Sequence, residues 1–131
     1  MKGISRSWAA LFSLVAGSGA LAAAAPSILS GVEPGLWEIS RSGQATQKIC
    51  VADVAELAQI EHRASRCTRE VLRESGSTAT VNYNCQGGGF GHATITVITP
   101  RSLRVETQGI SDNAPFKYVF QARLAGNCPA H

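Results

Sequence analysis

Apolar and polar residues alternate with a period of two along most of the chain, the pattern of β-strands that bury one face and solvate the other. Residues 36–41 and 44–51 read as two short strands joined around Gly43. Residues 68–74 and 78–85 flank Ser75-Gly76-Ser77, a turn cluster centred on Gly76. In the second of these runs Ala79, Val81, Tyr83 and Cys85 point one way, and Thr80, Asn82 and Asn84 the other. Ile95 and Val97, then Leu103 and Val105, repeat the alternation around a turn at Thr99-Pro100-Arg101-Ser102. Ser111-Asp112-Asn113 turns the chain again. The last run is the clearest, with Phe116, Tyr118, Phe120, Ala122 and Leu124 on one face and Lys117, Gln121 and Arg123 on the other.

One segment departs from this period. Asp53 and Glu56 form a D-x-x-E start, a relative of the capping box, ahead of Val54, Leu57, Ala58 and Ile60 at approximately helical spacing. The spacing predicts a helix over 53–63. The fold class is therefore mostly β (α+β): an antiparallel meander of about seven strands with one short helix. A strongly curved sheet or a small barrel, with the helix packed on it or closing one end, would bury the apolar face.

Four cysteines, Cys50, Cys67, Cys85 and Cys128, give this frame its covalent part. Their separations of 17, 18 and 43 positions do not match the close pairs of a zinc site, so disulfides are the expectation. Pairing the hairpin symmetrically about Gly76 puts Val71 opposite Val81, Arg73 opposite Ala79 and Cys67 opposite Cys85. Cross-strand neighbours stand about 4.5 to 5.5 Å apart at Cβ, close to what a disulfide requires. Cys50 with Cys128 follows by elimination. On the chain-entropy model the shorter loop contributes about 3 kcal/mol and the longer about 4.5 kcal/mol, taken separately. Such magnitudes mark the cysteines as structural.

The first residues follow another logic. Lys2 and Arg6 precede an apolar run from Ala9 to Ala16, and a small-residue stretch ends near Ala24, the organisation of a secretory signal peptide. Residues 1–24 are read as that signal, and 25–131 as a single disulfide-bonded β domain. The apolar run is broken by Gly17, Ser18 and Gly19, short of the roughly 20 residues a spanning helix needs. No later stretch is apolar enough to span a bilayer. The expected product is soluble, in the periplasm or secreted. Without Lys2 and Arg6 the 12 basic residues of the chain, set against 9 acidic ones, nearly balance the acids. The charge therefore gives no argument for nucleic acid as a partner.

Pro34-Gly35-Leu36-Trp37-Glu38, then Gln47-Lys48-Ile49-Cys50 before a short helix, then Cys67, Asn84-Cys85 and Gly126-Asn127-Cys128, resemble the bacterial family catalogued as domain of unknown function 3617. The resemblance runs from about Glu33 to Cys128. The chain lacks the Met-rich stretch that many such proteins carry between the Trp motif and the first Cys. The resemblance implies an exported, disulfide-bonded β protein and supplies no activity, substrate or catalytic residue.

The residues themselves offer little chemistry for catalysis. His62, His92 and His131 are dispersed, no nucleophile sits in a recognisable setting and no carboxylates cluster, so a nonenzymatic protein without a cofactor or metal is expected. His62 near a helix end reads as a dipole partner. Gly87-Gly88-Gly89 lacks the Lys-Ser or Lys-Thr of a phosphate loop and reads as a strand connection. Trp37 reads as a core anchor. Arg63, Arg66, Arg69 and Arg73, with Glu61, Glu70 and Glu74, read as a solvated and mutually paired face.

Of three function classes, the sequence favours a noncatalytic binding module for a small apolar ligand or an envelope component. An inhibitor or chaperone-like partner of another exported protein is the alternative, and an enzyme ranks last. The candidate ligand-facing residues are Val97, Val105, Phe116, Tyr118 and Phe120, on the apolar side of the late strands. The competing reading makes the same five residues a packed core.

Overall fold

The alternation resolves into seven antiparallel strands: β1 (Gly35–Arg41), β2 (Gln47–Val51), β3 (Cys67–Ser75), β4 (Thr78–Cys85), β5 (Phe90–Thr99), β6 (Ser102–Ser111) and β7 (Ala114–Gly126). The computed structural model describes Gly3 and residues 25–130. The segment read as a signal peptide, Gly3 apart, and His131 lie outside the described residues. The strands form one open sheet in the order β2-β1-β7-β6-β5-β4-β3. β3 to β7 are a simple meander. The first hairpin joins it at the far side, with β1 antiparallel to β7.

That order follows from the segment between β2 and β3. A helical segment, Val54–His62, leaves one edge of the sheet and delivers the chain to the other. It packs against β5, β6, β4 and β2. The winding is 3-10 and is interrupted at Gln59 (φ −120°, ψ 37°), where the spacing had predicted an uninterrupted helix. Gln59 turns inward at this break. Its side chain is buried, accepting a hydrogen bond from Arg69 Nη1 at 2.6 Å. Arg69 also pairs with Asp53 at 3.3 Å, so it holds both the start and the middle of the segment. Asp53 Oδ1 accepts from the Ala55 N–H at 3.0 Å, which caps the first turn.

Burial follows the strand period. Trp37, Val81, Ile95, Leu103, Val105 and Phe120 fill the inner face, and Leu57 and Ala55 reach it from the helical segment. Each large side chain so removed from water contributes roughly 1.5 to 3 kcal/mol. Trp37 is fully buried, and its indole N–H donates to the Glu33 carbonyl at 3.2 Å. A 3-10 turn at Ser27–Leu29 adds Leu29 to the core. Glu74 on β3 holds that turn in place, accepting from the Ser27 hydroxyl at 2.9 Å and from the Ile28 N–H at 3.1 Å.

Two disulfides fasten the sheet. Cys67 is bonded to Cys85 between β3 and β4, and Cys50 on β2 is bonded to Cys128 just beyond β7. Turn chemistry fixes the register between them. Asp112 (φ 50°) and Asn113 (φ 64°) both adopt left-handed backbone, as a two-residue hairpin turn with Ser111 opposite Ala114 requires. Gly76 (φ 59°) opens a two-residue turn that pairs Ser75 with Thr78. Arg73 therefore faces Thr80 rather than the Ala79 expected from symmetry about Gly76. A bulge at Leu72 then returns Val71 to its place opposite Val81.

Candidate functional site

The outer face of the late strands carries two cross-strand rows that strand pairing brings side by side. Asn82, His92, Gln108 and Lys117 stand opposite one another in turn across β4, β5, β6 and β7. The next outward row, in the same order of strands, is Asn84, Phe90, Ile110 and Pro115. Between them lies an inward-facing row whose two central members are glycines, Gly91 opposite Gly109.

The glycine pair is a steric necessity. A Cβ on Gly109 would fall against the Phe90 carbonyl oxygen and stand 2.6 Å from Gly91 Cα. A Cβ on Gly91 would fall against the Tyr83 ring. Only glycine lets β5 and β6 approach this closely. Around this pinch the two outward rows line a cavity of about 640 Å³, which Phe116 also borders.

The lining is amphipathic in a definite sense. Phe90 keeps 47 % of its surface exposed, and with Ile110 and Pro115 it makes one apolar wall. The other wall is polar. His92 Nδ1–H donates to Asn82 Oδ1 at 2.6 Å, which orients the imidazole and leaves Nε2 for another partner. Lys117 supplies the one formal positive charge of the lining.

The five residues read from the sequence as ligand-facing are dispersed by the structure. Val105 and Phe120 are buried in the core, Val97 packs against that core, and Phe116 alone borders the large groove. Tyr118 lies half-buried at the inner margin of the sheet. Its hydroxyl donates to Glu61 Oε2 at 2.7 Å. The Arg41 guanidinium sits 3.7 Å from its ring centroid, a cation–π contact of about 0.5 to 1 kcal/mol at such a site. Burial, reinforced by the negative Glu61 carboxylate that accepts its hydrogen bond, raises the Tyr118 phenol far above its ordinary range.

A second polar contact lies deeper. His62 is not a solvent-facing partner of the helix end but a buried one, its Nδ1 sharing a hydrogen bond of 2.9 Å with the Tyr83 hydroxyl. Its Nε2 is buried against Gly89 without a hydrogen-bond partner. Burial pushes the Tyr83 phenol up to about 12. The anticipated ion-paired face is also rearranged: Glu61 serves Tyr118, Glu74 serves Ser27 and Arg69 serves Asp53 and Gln59. Gly87-Gly88-Gly89 connects β4 to β5, with φ of 95° at Gly87 and 97° at Gly88.

The groove was missed because sequence reading followed the apolar face. Its signal was present in the polar one, as two apolar residues, Phe90 and Ile110, at outward positions beside glycines: Phe90-Gly91-His92 and Gln108-Gly109-Ile110. Among the described residues no group of three or more His, Cys, Asp or Glu is placed to hold a metal ion, and no helix is long and apolar enough to cross a membrane. A family model described as protein of unknown function (DUF3617) matches residues 32–128. No curated protein and no solved structure matches the chain.

Proposed function

The chain belongs to this DUF3617 family, and we propose that it is an exported, noncatalytic binding module whose outer-face groove takes a small, largely apolar ligand. The observation that carries this reading is the groove itself. A volume of about 640 Å³ falls within the range of small-molecule sites, which are mostly apolar with a few placed polar groups. Phe90 stands half in solvent with Ile110 and Pro115 beside it, and a polar row runs parallel at one strand-residue pair's distance.

Two disulfides suit an oxidising compartment outside the cytoplasm. The signal-like order of residues 1–24 supports export to the periplasm or beyond. The inner face offers no comparable room, because Trp37, Val105 and Phe120 fill it.

The test is titration of an environment-sensitive hydrophobic dye into the folded, oxidised protein. Saturable uptake is expected, weakened by Phe90→Ser and unchanged by Val119→Ser, which alters an exposed apolar residue outside the groove. Absence of saturable uptake, or uptake indifferent to Phe90→Ser, overturns the proposal.

A further inference from the structure

We infer that the groove's ligand is a single-headed anionic amphiphile lying across the strands, its acid group at Lys117 and its apolar body on Ile110 and Phe90. The inference rests on the binding-module reading above and adds the class and orientation of the ligand.

Charge is the first ground. Lys117 lines the groove together with neutral side chains and His92, and no carboxylate borders it. Among the described residues, no Asp or Glu stands within ion-pair distance of the Lys117 ammonium. A cationic ligand would meet repulsion there, and Glu106, the acid of the outward row on the side away from Phe90, is already paired with Arg104 at 3.1 Å. An anion would gain the ammonium and, in the same cross-strand row, the amides of Gln108 and Asn82 as donors.

Direction is the second ground. Lys117 lies on β7, whereas the outward apolar row runs from Pro115 on β7 through half-buried Ile110 on β6 to exposed Phe90 on β5. Neighbouring strands are about 4.8 Å apart, so that path crosses two spacings, about 10 Å. The charge therefore marks one end of an apolar track, and a molecule with one acidic head and one apolar tail fits that asymmetry. A ligand charged at both ends would set its second charge beside the Phe90 ring.

The probes are decanoate, uncharged decanol and the decyltrimethylammonium cation. Each is titrated below its micelle-forming concentration, with backbone amide shifts of Gly91 and Gly109 reporting occupancy of the groove. Decanoate should bind more tightly than decanol by roughly fivefold, the scale of one partly exposed ion pair, and lose that advantage as salt is raised. Lys117→Gln should abolish the preference, bringing the ratio of decanoate to decanol affinity to about one. Equal binding of decanoate and decanol, or preference for the cation, overturns the acid-head assignment and leaves the binding module standing. If the hydrophobic dye binds at Phe90 and none of the three chains does, the ligand class is overturned alone. If neither dye nor chains bind, both readings fall.

Discussion

Cys67 and Cys85 face each other across β3 and β4 because two local deviations cancel. The two-residue turn opened by Gly76 shifts the pairing by one position, and the bulge at Leu72 shifts it back before the cysteines are reached. Leu72 is thus the extra residue of the hairpin, 47 % exposed at the sheet edge, where a bulge also discourages strand addition.

Deleting Leu72 should leave a regular hairpin with Cys67 still opposite Cys85. Thiol titration and peptide mapping are expected to find that disulfide intact in the deletion variant. A free thiol at either position would refute the compensation. Replacing both cysteines with serine should instead lower stability by about 3 kcal/mol in denaturant unfolding, the loop-entropy value for a bridge of this span.

Gly109→Ala should be more damaging than Gly91→Ala, because its methyl meets strand backbone whereas that of Gly91 meets the Tyr83 side chain. A loss of roughly 1 to 3 kcal/mol is expected from overpacking, with reduced dye uptake as β5 and β6 are forced apart. Gly31→Ala, with nothing within 4 Å of the new methyl, is the control and should change stability by no more than about 0.5 kcal/mol. Equal effects at the two positions would show that the close approach is dispensable.

Phe120→Ala and Tyr118→Phe should separate core from margin. Phe120 is 1 % exposed, and its truncation should cost about 3 to 5 kcal/mol. Tyr118→Phe removes only the hydrogen bond to Glu61, with a loss of about 1 kcal/mol or less. Urea unfolding with an unchanged m-value would make both comparisons direct.

Alkaline pH should weaken the fold through Tyr83. Its phenol titrates near 10 in the unfolded chain and at about 12 when folded, so the folded state holds a proton that the unfolded chain has released. Stability from this group is complete below pH 10 and falls as pH rises toward 12. Tyr83→Phe removes that contribution to the slope. Rapid unfolding measurements across pH 9 to 12, with the two proteins declining in parallel, would reject the assignment.

The strands were legible in the sequence because alternation is a direct imprint of one buried face, and the turn at Asp112 and Asn113 because those residues tolerate positive φ. What escaped sequence reading depends on contacts between distant residues. No local signal tells that Gln59 will turn inward to Arg69 or that the helical winding will break there. Nor does the order of elements say that β3 will begin at the opposite edge from β2. The candidate site was hidden for a related reason. Val105 and Phe120 are as apolar as a pocket wall, and only the pairing of Gly91 with Gly109 shows that the available space lies on the other face.

The β1–β7 junction implies an order of assembly. β3 to β7 close through hairpins between sequence neighbours, which are quick to form, whereas Ile39 must find Ala122 across most of the domain, a slow loop closure. The meander should therefore form first and present β7 as a template on which the first hairpin docks. During oxidative refolding, pulse alkylation should find Cys67 joined to Cys85 while Cys50 and Cys128 are still free. The reverse order would mean that the chain's two ends meet before its middle has folded. In the sequence predicted here, the late bridge locks β2, the last strand to arrive, to the tail beyond β7, so oxidation at Cys128 marks completion of the fold rather than its beginning.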